Sequence, residues 1–362
     1  MDKIYDKCCG IDVHKKLIVA CFRKGNKQEV REFGATTREL LEMADWLKDG
    51  GCEMVAMEST ASYWKPLYNI FESSDLNAIV VNARHMKAVP GRKTDVKDAE
   101  WIAELLQHGL LKASYIPDKQ QRELRELVRY RKSLVSERTR ELNRLQKMLE
   151  GANIKLSGTV SDINCMSARN ILEYLLTGEF FDEAKYDEMY KQKIIAHNLK
   201  ASKEQIIDDL NGVMTPLQRR MMKELLSHLD ELNVHINNLE DEIDNFMKPE
   251  EKQATQAIQD VTGIGKNSSQ AIISVIGTDM SRFPTAGHLA AWAGLCPGNN
   301  ESAQKRKTGK MRKGNALLRS TLVVCAHSAT RNKNSYFYAQ FMRISSHRGK
   351  KRAYVAVAHS ML

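Results

Sequence analysis

Between Cys8 and Phe33 apolar and polar residues alternate with the short period of extended strands, and beyond Pro117 the period lengthens to that of helices. Cys8 to Val13 and Leu17 to Phe22 are short apolar runs, and Gly25-Asn26 supplies a turn before Glu29 to Phe33, so three strands are predicted. Leu40 to Leu47 has helical spacing, Met54 to Met57 reads as a buried strand, Tyr63 to Glu72 as a helix and Ala78 to Val81 as a further strand. A polar loop, Pro90 to Thr94, leads into a helix expected from Asp95 to about His108, which gives the order β-β-β-α-β-α-β-α.

Long charged helices follow. From Lys119 to Lys147 there are ten Lys/Arg and four Glu, with apolar positions at Leu124, Val128, Val135, Leu142, Leu145 and Leu149, the pattern of a basic amphipathic helix. Met222, Leu225, Leu229, Leu232, Ile236, Leu239, Ile243 and Phe246 alternate in steps of three and four, which predicts a coiled-coil seam. That seam either joins two copies of the chain or packs within one chain against Leu124 to Leu149. Residues 152–215 read as a small helical insertion with no chemical signature. Near the end, Gly263-Ile264-Gly265 lies between two helical stretches, where it is either half of a helix-hairpin-helix offering N–H groups to phosphate or a plain turn. The fold class expected is α/β plus all-α, in three domains: 1–117, a mixed sheet; 118–250, a helical coiled-coil region with the insertion; and 251–362, mostly helical.

Bulk numbers narrow the partners. Apolar residues make up 42% of the 362 residues and charged residues 28%, as in folded proteins, and no apolar run approaches the roughly 18 residues of a membrane span. No secretory signal is visible at Met1 to Tyr5, so a cytoplasmic location is expected. Seven scattered cysteines without CxxC spacing read as reduced thiols. A net charge of +10 favours a polyanionic partner, because neutralised phosphates release counterions.

Four acids stand where this pattern can use them. Asp12 ends one strand, Glu58 closes another, and Asp95 and Asp98 are three apart on one helical face. Each has a plainer reading: Asp95 as helix-capping chemistry after Thr94, Asp12 and Glu58 as polar strand ends. Carboxylates gathered at one point repel unless a cation compensates them, and an all-oxygen set suits Mg²⁺ or Mn²⁺ and phosphoryl transfer. His14 beside Asp12 reads equally as a base or a packing residue. Lys93 is either a phosphate contact or a solvated lysine.

The segments Gly10 to Lys15, Met57 to Thr60 and Lys93 to Ala99 resemble the IS110-type (DEDD) insertion-sequence transposases, whose first domain is similar to RuvC-type resolvases of the ribonuclease H-like fold. The resemblance implies that Asp12, Glu58, Asp95 and Asp98 bind the metal. It extends to Gly263 through Phe283, to Ala293 through Ser302, and to Lys313-Gly314-Asn315 with Leu318-Arg319. There the family's motif makes Ser302 the nucleophile, although Ala303 stands where glycine is common. Lys305, Arg306, Lys307, Lys310, Arg312, Lys313 and Arg319 surround it as nucleic-acid contacts. The same resemblance implies recombination of donor and target DNA through a phosphoserine, a bridge RNA pairing with both, and a site composed across a dimer or tetramer. Relatives continue past Lys350 to His359, so truncation at Leu362 is expected. Two other readings fit the residues: a resolvase-like metal nuclease, and a nonenzymatic nucleic-acid-binding protein.

Overall fold

Five strands form where the short period predicts them: β1 (Lys7–Val13), β2 (Leu17–Lys24), β3 (Lys27–Gly34), β4 (Met54–Glu58) and β5 (Ala78–Val81). The computed structural model describes residues 3–82, 98–160, 162–195, 201–297, 301–302, 305–306, 311 and 314–362. It divides into two compact units, Met1–Pro117 and Asp118–Leu362.

In the first unit the sheet order is β3-β2-β1-β4-β5. The β1–β2 and β2–β3 pairs are antiparallel, whereas β1–β4 and β4–β5 are parallel. Lys24 pairs with Lys27, which leaves Gly25-Asn26 as the turn, and Gly25 takes a positive φ of 61° there. Helices α1 (Thr37–Asp49) and α2 (Trp64–Ser73) close one face, where Leu40, Met43, Leu47, Leu67 and Phe71 pack on Cys9, Ile11, Val13, Val55 and Met57. The other face belongs to α3 (Asp98–Gln107), whose Ile102 and Leu106 meet Cys8, Ala56 and Val81. The stretch where that helix was expected to begin, from Asp95, lies outside the described residues. β1, covered on both sides, loses its alternation and becomes a continuous apolar run.

Contact between α3 and β1 is unusually close. A Cβ placed on Gly10 would stand 2.2 Å from Ala103 N and 2.4 Å from Ala99 O, both backbone atoms. Cys8 Sγ also donates to Ala103 O across 3.7 Å.

The second unit is helical apart from a short hairpin. α4 (Lys119–Gly151) is capped by Asp118, which accepts from Gln121 N. Among the described residues a single helical turn at Leu156–Thr159 and three short helices, α5 (Met166–Thr177), α6 (Glu183–Lys191) and α7 (Lys203–Leu210), form the insertion, and α8 (Pro216–Phe246) starts on a capping box of Thr215 and Gln218 with Pro216 just inside. α8 runs antiparallel to α4. Leu145 and Leu149 share a cluster with Met222, Leu226 and Leu229; Leu134 meets Leu232, Ile236 and Leu239; Leu124 and Val128 meet Ile243 and Met247. Of the two partners the seam allowed, the structure gives it the intrachain one. Leu226 rather than Leu225 is its buried residue, because this end of α8 also faces Ile171, Leu172 and Leu175 of the insertion. A third layer turns the buried stripe away from strict three-four spacing.

The remaining helices are α9 (Pro249–Gln259), α10 (Lys266–Ile276), α11 (Ala286–Ala293), α12 (Ala316–Ala329), α13 (Tyr336–Arg348) and α14 (Lys350–Met361). Their core contains Ile272, Val275, Leu318, Leu322, Ala353 and Val357 together with Leu124 and Val128 of α4. Two arginines of α4 fix α10. Arg125 donates to the carbonyls of Ser274 (3.0 Å) and Val275 (2.5 Å) at the end of α10, and burial lowers its pKa to about 10. Arg131, 4% exposed, donates to Gln270 Oε1 (2.6 Å) and to Asn267, and these in turn donate to Asp244 and Glu240 of α8. A buried guanidinium is tolerated only with such satisfied donors. All seven cysteines are free thiols, and no described helix is long and apolar enough to cross a membrane.

Replacing Gly10 with Val forces α3 off β1. The expected loss is about 3 kcal/mol of stability, at the upper end of overpacking costs. A urea midpoint unchanged from wild type would contradict the backbone contact.

Candidate metal site and serine hairpin

Strand alternation decides which acids meet. Asp12 shares a face with Gly10 and Cys8, and Glu58 shares one with Ala56, because side chains two apart in a strand point the same way. Cys8 and Ala56 both lie under α3, so Asp12 and Glu58 emerge on the α3 side of the sheet. Ile11 pairs with Met57 in the parallel register, which puts the two acids one step further along neighbouring strands. Strands stand about 4.8 Å apart, so these carboxylates sit side by side at the sheet's end. Just beyond Glu58 the chain turns sharply, with Thr60 N donating to Glu58 O at 2.9 Å and Ala61 at φ 47°.

Asp98 is the first residue of α3, exposed, next to the Ala99 that rests on Gly10. An acid at a helix N-terminus is favoured by the exposed N–H groups there. Asp12 is mostly covered, its side chain 15% exposed, and His14 Nε2 stands 2.9 Å from its Oδ2. His14, which the sequence left open between base and packing residue, thus lies against Asp12 with its side chain largely exposed. Asp95 and Lys93 lie outside the described residues. Among the described residues no group of three or more His, Cys, Asp or Glu side chains is gathered closely enough to hold a metal. The donor set still suits a hard cation: two carboxylates on adjacent strand ends, with oxygen as the ligand atom and charge that a divalent ion offsets.

The second cluster belongs to the other unit. β6 (Glu301–Ser302) and β7 (Lys305–Arg306) make a two-stranded hairpin in which Ser302 pairs with Lys305 and Glu301 with Arg306. Below it Pro297 bridges Met311, closing the stem. The stem is anchored by glycines: a Cβ on Gly314 would lie 2.3 Å from Gly294 N, and Gly294 ends α11 in the left-handed region at φ 76°. Asn315 then caps α12 by accepting from Leu318 N at 3.1 Å. Arg319 is half-buried on α12, and its neighbour Ser320 accepts from Lys132 of α4 at 2.6 Å. Ser302, Lys305 and Arg306 are thus placed by strand pairing. Lys307, Lys310, Arg312 and Lys313 lie outside the described residues.

Ala303-Gln304, between the two short strands, contains none of the glycine or asparagine that marks tight hairpins, so nothing announced the pairing. Gly10 was also missed as a structural residue, though an isolated glycine inside a strand is a known sign of close backbone approach. At the Gly263-Ile264-Gly265 turn between α9 and α10 the two glycines separate. Gly263, at φ 94°, would meet Ala329 N and Cys325 O of α12 at 2.6 Å, whereas Gly265 has open space around it. The first is a packing residue. Only the second leaves room for another molecule.

Comparison with known proteins finds two family models in succession. One, a DEDD-type IS110 model described as "Transposase", matches residues 9–154, and another, "Transposase IS116/IS110/IS902 family", matches residues 255–341. The transposase for insertion sequence element IS1111A of Coxiella burnetii is 24% identical over 314 residues, 85% of this chain and 75% of that protein. A probable family 20 transposase of Pseudomonas aeruginosa is 23% identical over 325 residues, 89% of this chain and 80% of its own length. Among solved structures, T. thermophilus RuvC in complex with Holliday junction substrate aligns with 30% of this chain and 99% of its own, at 11% identity and a TM-score of 0.22. An overlap that slight supports no statement about fold.

Gly263→Ala is expected to cost about 3 kcal/mol, from backbone strain and overlap with α12 together. Gly265→Ala costs about 1 kcal/mol or less, the usual range for a lost cap. Equal shifts in thermal midpoint for the two variants would contradict the division of roles.

Proposed function

Because the chain belongs to the IS110 family of insertion-sequence transposases, we propose that it cuts and rejoins DNA through a covalent phosphoserine at Ser302, assisted by a divalent metal held by Asp12, Glu58, Asp95 and Asp98. A transposase acts on DNA, and the pairing of the acid-bearing match with the serine-bearing match on one chain supports two chemical elements rather than one. The observation that carries the reading is the register of β1 and β4, which aligns Asp12 with Glu58 on the face closed by α3. The strand order, antiparallel through β3-β2-β1 and parallel through β1-β4-β5, also supports a ribonuclease H-like (RuvC-like) sheet.

In the proposed reaction the Ser302 hydroxyl attacks a backbone phosphorus and gives up its proton. The bond from phosphorus to the 3′-oxygen breaks, and that oxygen takes a proton to become a free 3′-hydroxyl. A second 3′-hydroxyl then attacks the phosphoserine, restoring the phosphodiester and the serine. Bonds broken and made are of one kind, so no ATP is needed. When bound, Mg²⁺ or Mn²⁺ supplies Lewis-acid stabilisation of the phosphoryl charge. His14 orients Asp12, Gly10 lets α3 bring Asp98 down onto the strand that bears Asp12, and Lys305, Arg306, Lys307, Lys310, Arg312, Lys313 and Arg319 neutralise the DNA backbone. A bridge RNA pairing with donor and target DNA belongs to this proposal, as does assembly of copies into a dimer or tetramer.

The DEDD type favours a second reading, a nuclease that uses water, for which the acids suffice without Ser302. Product chemistry separates the two. Wild type, Ser302→Ala and Asp12→Asn are incubated with donor and target DNA, the element's RNA and Mg²⁺, then run on denaturing gels. Wild type is expected to leave a denaturant-resistant protein–DNA adduct, Ser302→Ala none, and Asp12→Asn at least about a hundredfold less, a loss common for metal-centred phosphoryl transfer. An adduct persisting in Ser302→Ala overturns the serine role; free 5′-phosphate ends without adduct establish the nuclease.

A further inference from the structure

Positive charge is concentrated at one end of this chain. From Ser302 to Leu362 there are fourteen Lys/Arg and no Asp or Glu, although the whole chain carries only +10. Residues 1–301 are therefore net negative, at −4. The acid-free stretch includes the serine hairpin and the helix pair α13–α14, which turns at Gly349 with φ 81°.

Between that helix pair and the stem of the serine hairpin lies a groove of about 570 Å³. Its walls are apolar: Pro297 and Met311, the two residues that bridge the stem, face Ile344 of α13 and Val355 and Ala356 of α14. Its rim is basic. Arg348, Lys351 and Arg352 line it, all exposed, and among the described residues no ion pair engages them. On the wall, Gln340 Nε2 donates to Ser360 Oγ at 2.7 Å, and that hydroxyl donates onward to Ala356 O. The amide orientation is fixed by this chain, and it leaves Gln340 Oε1 buried with no donor among the described residues.

We propose that this groove receives one unstacked nucleotide of the DNA strand held by the serine hairpin, with its base between the apolar walls and its phosphate on Arg348, Lys351 and Arg352. The inference rests on the reading of the chain as a DNA transposase and adds a substrate subsite to it. Three properties of the groove agree on that ligand. Its volume lies in the roughly 300–1,000 Å³ range of small-ligand pockets. Apolar walls under a cationic rim match a base attached to a phosphate. Pro297 and Met311 in its wall bracket in sequence the segment that bears Ser302, so a nucleotide seated there belongs to the strand at that serine. Withdrawing one nucleotide from the stack costs a few kcal/mol, which the rim's phosphate contacts offset.

The test uses the full chain in a Ser302→Ala background without divalent metal, which stops strand cleavage under either reading, and a single-stranded DNA oligonucleotide containing 2-aminopurine. Binding is expected to raise 2-aminopurine fluorescence as the base leaves its neighbours. Ala356→Phe, which fills the groove, should abolish the rise and weaken single-strand binding about tenfold, while affinity for fully paired duplex stays within about twofold. Should Ala356→Phe fail to fold by circular dichroism, the surface pair Lys351→Gln/Arg352→Gln decides the matter: the salt slope for the single strand falls by about 1.4 if both residues hold phosphate. An unchanged rise in Ala356→Phe, an unchanged salt slope in the pair, tighter capture of the matching ribo-oligonucleotide, or an altered sedimentation mass in place of altered DNA binding would each overturn the subsite. Adduct formation by the Ser302-containing chain is read separately. Adduct without a fluorescence rise sinks the groove alone, and a rise without adduct sinks the recombinase reading alone.

Discussion

At Gly10 a helix and a strand meet backbone to backbone, and the acidic end of the N-terminal unit is arranged around that contact. With a hydrogen atom in place of a side chain, β1 allows Ala99 and Ala103 to rest on it, at distances a Cβ would occupy. Two consequences follow from the one contact. The helix beginning at Asp98 lies flat on the strand bearing Asp12, and the sheet face that displays Asp12 and Glu58 is sealed against solvent by Ile102 and Leu106. Asp12 and Glu58, at the ends of neighbouring strands, are thereby held by packing that neither of them provides.

The helical unit solves a similar problem with buried arginines. α4 crosses the unit alongside α8, and on the way Arg125 and Arg131 take hold of α10 by its terminal carbonyls and by Asn267 and Gln270. α10 in turn packs beside α12, against which Gly263 is pressed. α12 begins where the stem of the serine hairpin ends, at Gly314 and Asn315. A short chain of satisfied polar contacts and close glycines thus leads from the long basic helix to the base of the hairpin bearing Ser302.

Charge distribution gives these elements different tasks. The sheet end carries the carboxylates of Asp12 and Glu58, whereas the last 61 residues have no acid at all, a charge that favours phosphate. A transposase needs both, since phosphoryl transfer at DNA requires the backbone to be neutralised and the reacting phosphorus to be polarised. The basic residues of the C-terminal stretch stand on an apolar groove as well as on the hairpin, so the same region offers shape together with charge.

Much was legible in the residues themselves. Period-two alternation, the Gly25-Asn26 turn and the helical spacing after Pro117 located the five strands and the long helices, because these patterns depend only on which neighbours a side chain faces along its own segment. The family motifs singled out Asp12, Glu58 and Ser302 for the same reason, being local in sequence. Position across the chain was a different matter. Sequence could not say that Asp12 and Glu58 share a face, since that depends on a parallel register between strands forty residues apart. Nor could it choose Leu226 over Leu225, because the choice was made by a third layer, the insertion helices, packing on α8. The hairpin at Ser302, the rest of α3 upon Gly10 and the groove under the hairpin stem are likewise products of tertiary contact. A residue's chemistry is written in its type, but its partners are set by surfaces that exist only once distant segments have packed.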